Sequence, residues 1–134
     1  MEKEYKYADI TQKIIGSAFE VHKTLKNGFV ESVYHRAMEI ELRNTDLNFQ
    51  SEFEVSIYYK NQKVGARRVD FLVNKLIPVE IKAIVQLEDI QIAQALNYLE
   101  AFNLEVGLLI NFGAKSLEVR RLYNSKYKEK QVNQ

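Results

Sequence analysis

The chain has 134 residues, 46% of them hydrophobic, which suits one domain with a real core and excludes a chain too polar to fold. It has no cysteine, which excludes a disulfide framework and a thiolate metal site. No apolar run approaches the ~20 residues needed to span a bilayer, and the start, MEKEYKYADI, has no signal-peptide core, so a soluble, cytoplasmic protein without a membrane partner is expected. The net charge of +1 excludes a generally basic nucleic-acid binder, but residues 1–54 carry 7 Lys/Arg against 10 Asp/Glu and residues 55–134 carry 12 against 8. A basic excess in the second half suits phosphate there, and equally suits an ordinary solvated surface.

Taken in chain order, Asp9 and Gln12 have the spacing of a capping box, so a helix is expected from Ile10. Ile10, Ile14, Ala18, Val21 and Leu25 make its apolar stripe, and Asn27-Gly28 ends it. Gly16 weakens the middle of this helix, which suggests close packing against another element. A second helix, Val30 to Arg43, carries Glu31, Tyr34 and His35 within one turn of each other. Read mechanically, Glu31 is a first-turn carboxylate complementing the helix dipole. Glu52 to Lys60 reads as a strand, 60–63 as a turn, and Arg67 to Val73 as a second strand. Ile77 to Ile84 follows across the short break Asn74-Lys75, with Pro78 near its start, where a missing donor is tolerated. Leu87 to Phe102 is helical, with Gln91, Gln94 and Tyr98 on one face. Glu105 to Asn111 is almost continuously apolar, as in a strand buried on both sides. Leu117 to Tyr123 is a last strand, and 125–134 is expected to be a polar, disordered tail after a single domain over 1–124.

The segment from Arg67 to Tyr98 holds the chemistry. Strand alternation puts Glu80 and Lys82 on one face, and Arg68 with Asp70 on one face opposite Val69, Phe71 and Val73. A turn centred on Lys75 sets Asp70 directly across from Glu80. Two facing carboxylates repel unless a cation lies between them, and a hard divalent cation takes carboxylate oxygens. The competing reading of Glu80 and Lys82 is a half-exposed strand with cross-strand salt bridges. His22 and His35 lack metal-ligand spacing and read as surface or packing residues. There is no Gly-rich phosphate loop and no serine in a nucleophile elbow.

Asp70, then Glu80-Ile81-Lys82, resembles the D…(D/E)-x-K core of the PD-(D/E)XK nuclease superfamily. Gln94-x-x-x-Tyr98 resembles the QxxxY motif that accompanies this core in the RecB-like branch. Gly28-Phe29-Val30-Glu31-Ser32-Val33-Tyr34 is similar to the signature of the GxxExxY proteins. The resemblance runs from about Ile10 to Asn124, with one departure: Val69 stands where the superfamily's name expects Pro.

The resemblance implies an α/β, restriction-endonuclease-like sandwich with a central mixed β-sheet flanked by helices, in the order ααβββαββ. It implies a divalent-metal-dependent nuclease, with Mg²⁺ or Mn²⁺ as cofactor and nucleic acid, foremost DNA, as partner. Asp70, Glu80, the Ile81 carbonyl and Glu31 are then the expected metal ligands. Lys82 is expected to orient the attacking water, and Gln94 to hold a phosphate or the lysine. Tyr98 and Arg68 are expected near the substrate. Tyr34 either hydrogen-bonds Glu31 or meets substrate, or is a core aromatic. The alternative is a non-catalytic nuclease-fold module that binds nucleic acid or a protein. The chain carries no obvious substrate-gripping insertion, and a homo-oligomer could supply that surface.

Overall fold

A computed structural model describes residues 6–129. Within them the chain forms α1 (Ala8–Leu25), α2 (Glu31–Arg43), β1 (Phe49–Tyr59), β2 (Gln62–Val73), β3 (Ile77–Lys82), α3 (Asp89–Phe102), β4 (Val106–Asn111) and β5 (Glu118–Tyr123). This is the expected order ααβββαββ. The five described strands lie in chain order in one sheet. β3 and β4 are parallel, joined through α3, and the other neighbours are antiparallel, so the sheet is mixed.

Helices cover both faces. The apolar stripes of α1 and α2 (Ile14, Ala18, Val21; Tyr34, Met38, Leu42) pack on Phe71, Val73, Val79, Ile81 and Ile110. On the other face Ala95 and Leu99 of α3 pack on Leu109 and Leu122. Every residue of β4 is buried, as its unbroken apolar run requires. No helix among the described residues is long and apolar enough to cross a membrane.

α1 has no capping box: Tyr7 occupies the N-cap in left-handed conformation with no side-chain cap, and Thr11 Oγ1 bonds back to Tyr7 O at 3.3 Å. The capping box belongs to α3, where Glu88 and Gln91 serve each other's orphan backbone groups. Gly16 is exposed, and a Cβ there would meet nothing within 4 Å, so no close packing selects it. The segment expected to be a disordered tail is tied down over its first residues: Asn103 exchanges hydrogen bonds with the Lys128 backbone (2.8 and 3.0 Å). Residues 130–134 of that segment lie outside the described residues.

β1 and β2 run well past the rest of the sheet. The β2–β3 ladder covers only Phe71↔Val79, Leu72↔Pro78 and Val73↔Ile77, while the β1–β2 ladder continues to Tyr59↔Gln62. Asp70 stands where β2 parts from β3.

Candidate active site

The hairpin register is the one the turn dictates: Val73 faces Ile77 around Lys75, and the same register carries Asp70 towards Glu80. At Asp70 the ladder opens on both sides. Its Oδ2 accepts the Ile81 backbone N–H (2.7 Å), a donor that a strand carbonyl would otherwise take. Across β1, Ser51↔Phe71 and Phe53↔Val69 pair, but Glu52, opposite Asp70, has a positive φ of 54° and no ladder partner.

This break resets the alternation. Phe71 and Val73 face α1 and α2, whereas Val69 lines a crevice with Pro78, Tyr98 and Leu99 beneath α3. The expectation that Val69, Phe71 and Val73 share a face is therefore corrected. The same reset turns Arg67 towards Glu80 and Arg68 away from it. Arg68 points outward to exposed Glu52 (3.0 Å). Arg67 instead reaches Glu80 Oε1 through Nη2 (3.0 Å), with its guanidinium 4.6 Å from the ring centroid of Tyr98.

Glu80 is buried and its charge is incompletely compensated. Arg67 touches it at one point, leaving Glu80 Oε2 and Arg67 Nε each buried without a hydrogen-bond partner. Burial pushes the Glu80 carboxyl up to about 7, against the attraction of Arg67; the charges of Asp70 and Glu31 add to the rise, and Lys82 opposes it. Glu31, at the first turn of α2, is also raised, by loss of water and then by Asp70, with Lys82, Arg67 and His35 opposing. Asp70, Glu80, Lys82 and Glu31 thus share one electrostatic site at the opening between β2 and β3. Gln94 lines a narrow crevice with Arg67, Glu80, Lys82 and Gln91, and Tyr98 lies beneath Arg67.

Two residues set aside or misassigned in the sequence change roles. His35 Nδ1 meets Asp70 Oδ1 at 3.0 Å, its ring stacks on Phe71 (4.4 Å between centroids), and Nε2 meets Ser51 Oγ at 2.8 Å. Ser51 in turn donates to Glu39 Oε2 (2.6 Å), so this chain of contacts fixes how Asp70 is presented. The one clue in the sequence was its place one turn after Glu31. Tyr34 is corrected in the other direction. It is fully buried, stacks on Phe112 (4.9 Å), donates to Lys26 O (2.6 Å) and accepts from Phe29 N (3.1 Å). Its hydroxyl closes the loop that leads into α2 and thereby places Glu31, to which it makes no bond. His22 is a packing residue, with Nε2 3.0 Å from Ala114 O.

Lys82 is held at the end of β3 by a buried knot. Phe112 N donates to Lys82 O (2.8 Å). Asn111 Oδ1 accepts from Ile84 N and Gly113 N, and Asn111 Nδ2 donates to Ile84 O and Glu118 Oε1. That bond, with a second from Leu87 N, holds the Glu118 carboxyl below its usual range. Gly113 allows this approach: a Cβ there would lie 2.3 Å from Ile84 O.

The donors fit a hard divalent cation in kind, since the site offers carboxylate oxygens and one of them, Glu80 Oε2, is buried and unpartnered. Asp70, Glu80 and Glu31 are the side chains able to contribute; the Ile81 backbone enters through its N–H to Asp70. Among the described residues, no three His, Cys, Asp or Glu side chains already surround one point. Both oxygens of Asp70 have partners and Glu80 leans on Arg67, so binding a cation would draw these carboxylates together.

A mixed sheet with two helices on one face and one on the other, bearing an Asp on the second strand and Glu-x-Lys on the third, defines a nuclease-type α/β sandwich. The chain belongs to the PD-(D/E)XK nuclease superfamily, whose family model matches residues 8–122. Members of this superfamily generally use divalent metals. The fold is also similar to that in the crystal structure of SSO0001, at a TM-score of 0.56 and 21% sequence identity, covering 69% of this chain and 49% of that one. The chain thus spans about half the length of that relative. No curated protein matches it at a significant level.

Proposed function

We propose that the protein is a divalent-metal-dependent nuclease that hydrolyses phosphodiester bonds of DNA, using Mg²⁺ or Mn²⁺, and that it is a GxxExxY member of its superfamily. The observation that carries this reading is Glu80: a buried carboxylate with one oxygen unpartnered, raised to about 7, beside Asp70, Glu31 and Lys82. Such a group calls for a cation that a single contact from Arg67 does not replace.

In this reading Asp70, Glu80 and Glu31 hold the metal, with the Ile81 carbonyl as a further ligand. When bound, the metal supplies a Lewis acid at the phosphoryl oxygen and makes its water more acidic. Lys82, two residues beyond Glu80 on the same strand, orients the attacking water and stabilises the charge that develops on the phosphoryl group. Gln94 positions a phosphate beside Lys82. Arg67, stacked on Tyr98, would exchange its contact with Glu80 for one with the substrate backbone.

A second reading has its own observation. Two of the three carboxylates already have a cationic or hydrogen-bonding partner, His35 for Asp70 and Arg67 for Glu80. That arrangement supports a non-catalytic module in which these side chains stand where a metal would.

Lys82 separates the two. If it acts in the transition state, Lys82→Ala folds, binds Mn²⁺ and DNA, and cleaves on the order of 10²–10³-fold more slowly. Lys82→Arg keeps the charge but replaces a compact ammonium with a planar fork, and restores little. The measurement is single-turnover cleavage of labelled single- and double-stranded DNA with Mg²⁺ or Mn²⁺, beside thermal melts. Wild-type protein that cleaves neither DNA nor RNA with either metal would give the module reading the field, and an active Lys82→Ala protein would remove the role given to this lysine.

A further inference from the structure

The β1–β2 hairpin projects from the site as an arm. From Tyr58 to Val64 every residue is exposed, Tyr58 and Tyr59 to 63% and 62%. The turn is a tight one: Lys60 and Asn61 both have positive φ (49° and 66°) between the partners Tyr59 and Gln62, the conformation that suits a twisted ribbon. Tyr58 and Lys63 are cross-strand partners and so share a face. Lys60 Nζ lies 5.4 Å from the centroid of the Tyr59 ring. No carboxylate occurs from Val55 to Val69, so the charge of this ribbon is entirely positive.

We propose that this arm grips an unpaired stretch of a nucleic-acid strand that crosses its tip, one base stacked on Tyr58 beside Lys63 on one face of the ribbon and another on Tyr59 beside Lys60 on the other, with phosphates on the two lysines. Exposed aromatic rings beside lysines are a stacking platform for unpaired bases, whose ring faces a duplex hides. A second copy of the chain fits less well, because a two-fold contact through the tips would bring like lysines together. The proposal rests on the nuclease reading only for the strand's continuation to the site. Asp70 lies seven strand residues from Lys63, about 23 Å at ~3.3 Å per residue.

The test uses the full chain with Tyr58→Ala/Tyr59→Ala and Lys60→Ala/Lys63→Ala, both at exposed positions and checked by thermal melts. Binding of a labelled single-stranded oligonucleotide of ~20 nucleotides, and of a blunt duplex of equal length, is followed by anisotropy without metal. The tyrosine variant is expected to weaken single-strand binding by about tenfold or more and to leave duplex binding nearly unchanged. The lysine variant should lower the slope of log affinity against log salt by about 1.4, for two phosphates at ~0.7 each. Unchanged single-strand binding in both variants, no binding by the wild type, or loss of a tip-dependent dimer instead of binding would each overturn the proposal. Tip-dependent binding by a protein that cleaves nothing would uphold the arm while removing the nuclease reading.

Discussion

Glu80 sets the pH behaviour of the protein. Its carboxyl is raised from 4.5 to about 7, mainly by burial, so the folded state holds a proton that the unfolded chain has already released. Stability therefore falls as pH rises between these two values, the reverse of a carboxylate held low by a partner. A shift of this size is on the order of 3 kcal/mol, undiscounted because the side chain is only 8% exposed. Glu31 is raised in the same sense. Asp46 and Glu118 are lowered, and act only as pH falls below the ordinary carboxylate range. In metal-free buffer the melting temperature is expected to be higher at pH 5.5 than at pH 8. Glu80→Gln should flatten that difference and raise stability at pH 8, provided Arg67 can relax to solvent. Melting curves from pH 4.5 to 8.5 check this, and a wild-type protein more stable at pH 8 than at 5.5 would contradict the burial of an uncompensated charge.

At the scale of elements, two glycines make opposite demands. Gly16 sits in the middle of α1, exposed and with open space around it, so Gly16→Ala should stabilise by about 1 kcal/mol through helix propensity. Gly113 abuts the backbone of Ala83 and Ile84, so Gly113→Ala should destabilise by about 1–3 kcal/mol and disturb the seat of Lys82. Urea titrations of the two variants give both signs at once. Neither demand could be read from the sequence, because a glycine's neighbours are contacts in space. What could be read was periodic or local. The stripe of α1, the unbroken run of β4, and the turn at Lys75 each follow from spacing along a few residues, and together they imply the order of elements and the facing of Asp70 and Glu80. Spacing carries no such information where regularity breaks. The unpaired position at Glu52 and Asp70 resets the faces of β2, so Arg67 rather than Arg68 meets Glu80 and Val69 lies on the α3 side. His35 was invisible for a related reason: its partner, 35 residues away, meets it only once α2 packs on the sheet. Tyr34 reads equally well as core or site until its hydroxyl is seen closing the 26–29 loop.

At the scale of the whole molecule, the site links the helical layers on the two faces of the sheet. Asp70 is tied to α2 through His35, and Glu80 to α3 through Arg67 and Tyr98. A metal at this junction would bind only the folded chain and stabilise it by mass action, about 2.7 kcal/mol at a hundredfold excess over its dissociation constant. For a domain of this size that corresponds to a rise in melting temperature on the order of 10 °C. Protons compete for Glu80, so the rise with Mn²⁺ should be larger at pH 8 than at pH 5.5. Asp70→Ala should abolish it. His35→Ala removes the group that orients Asp70 without touching the metal, and should weaken Mn²⁺ affinity by about 10–100-fold, leaving a smaller shift that more metal restores. The module reading predicts otherwise: His35 and Arg67 keep the carboxylates, and Mn²⁺ moves neither the wild type nor the variants. Thermal melts over a Mn²⁺ titration at the two pH values, with calorimetry for the wild type, distinguish these outcomes. An Asp70→Ala protein with the full wild-type shift would place the metal elsewhere on the chain.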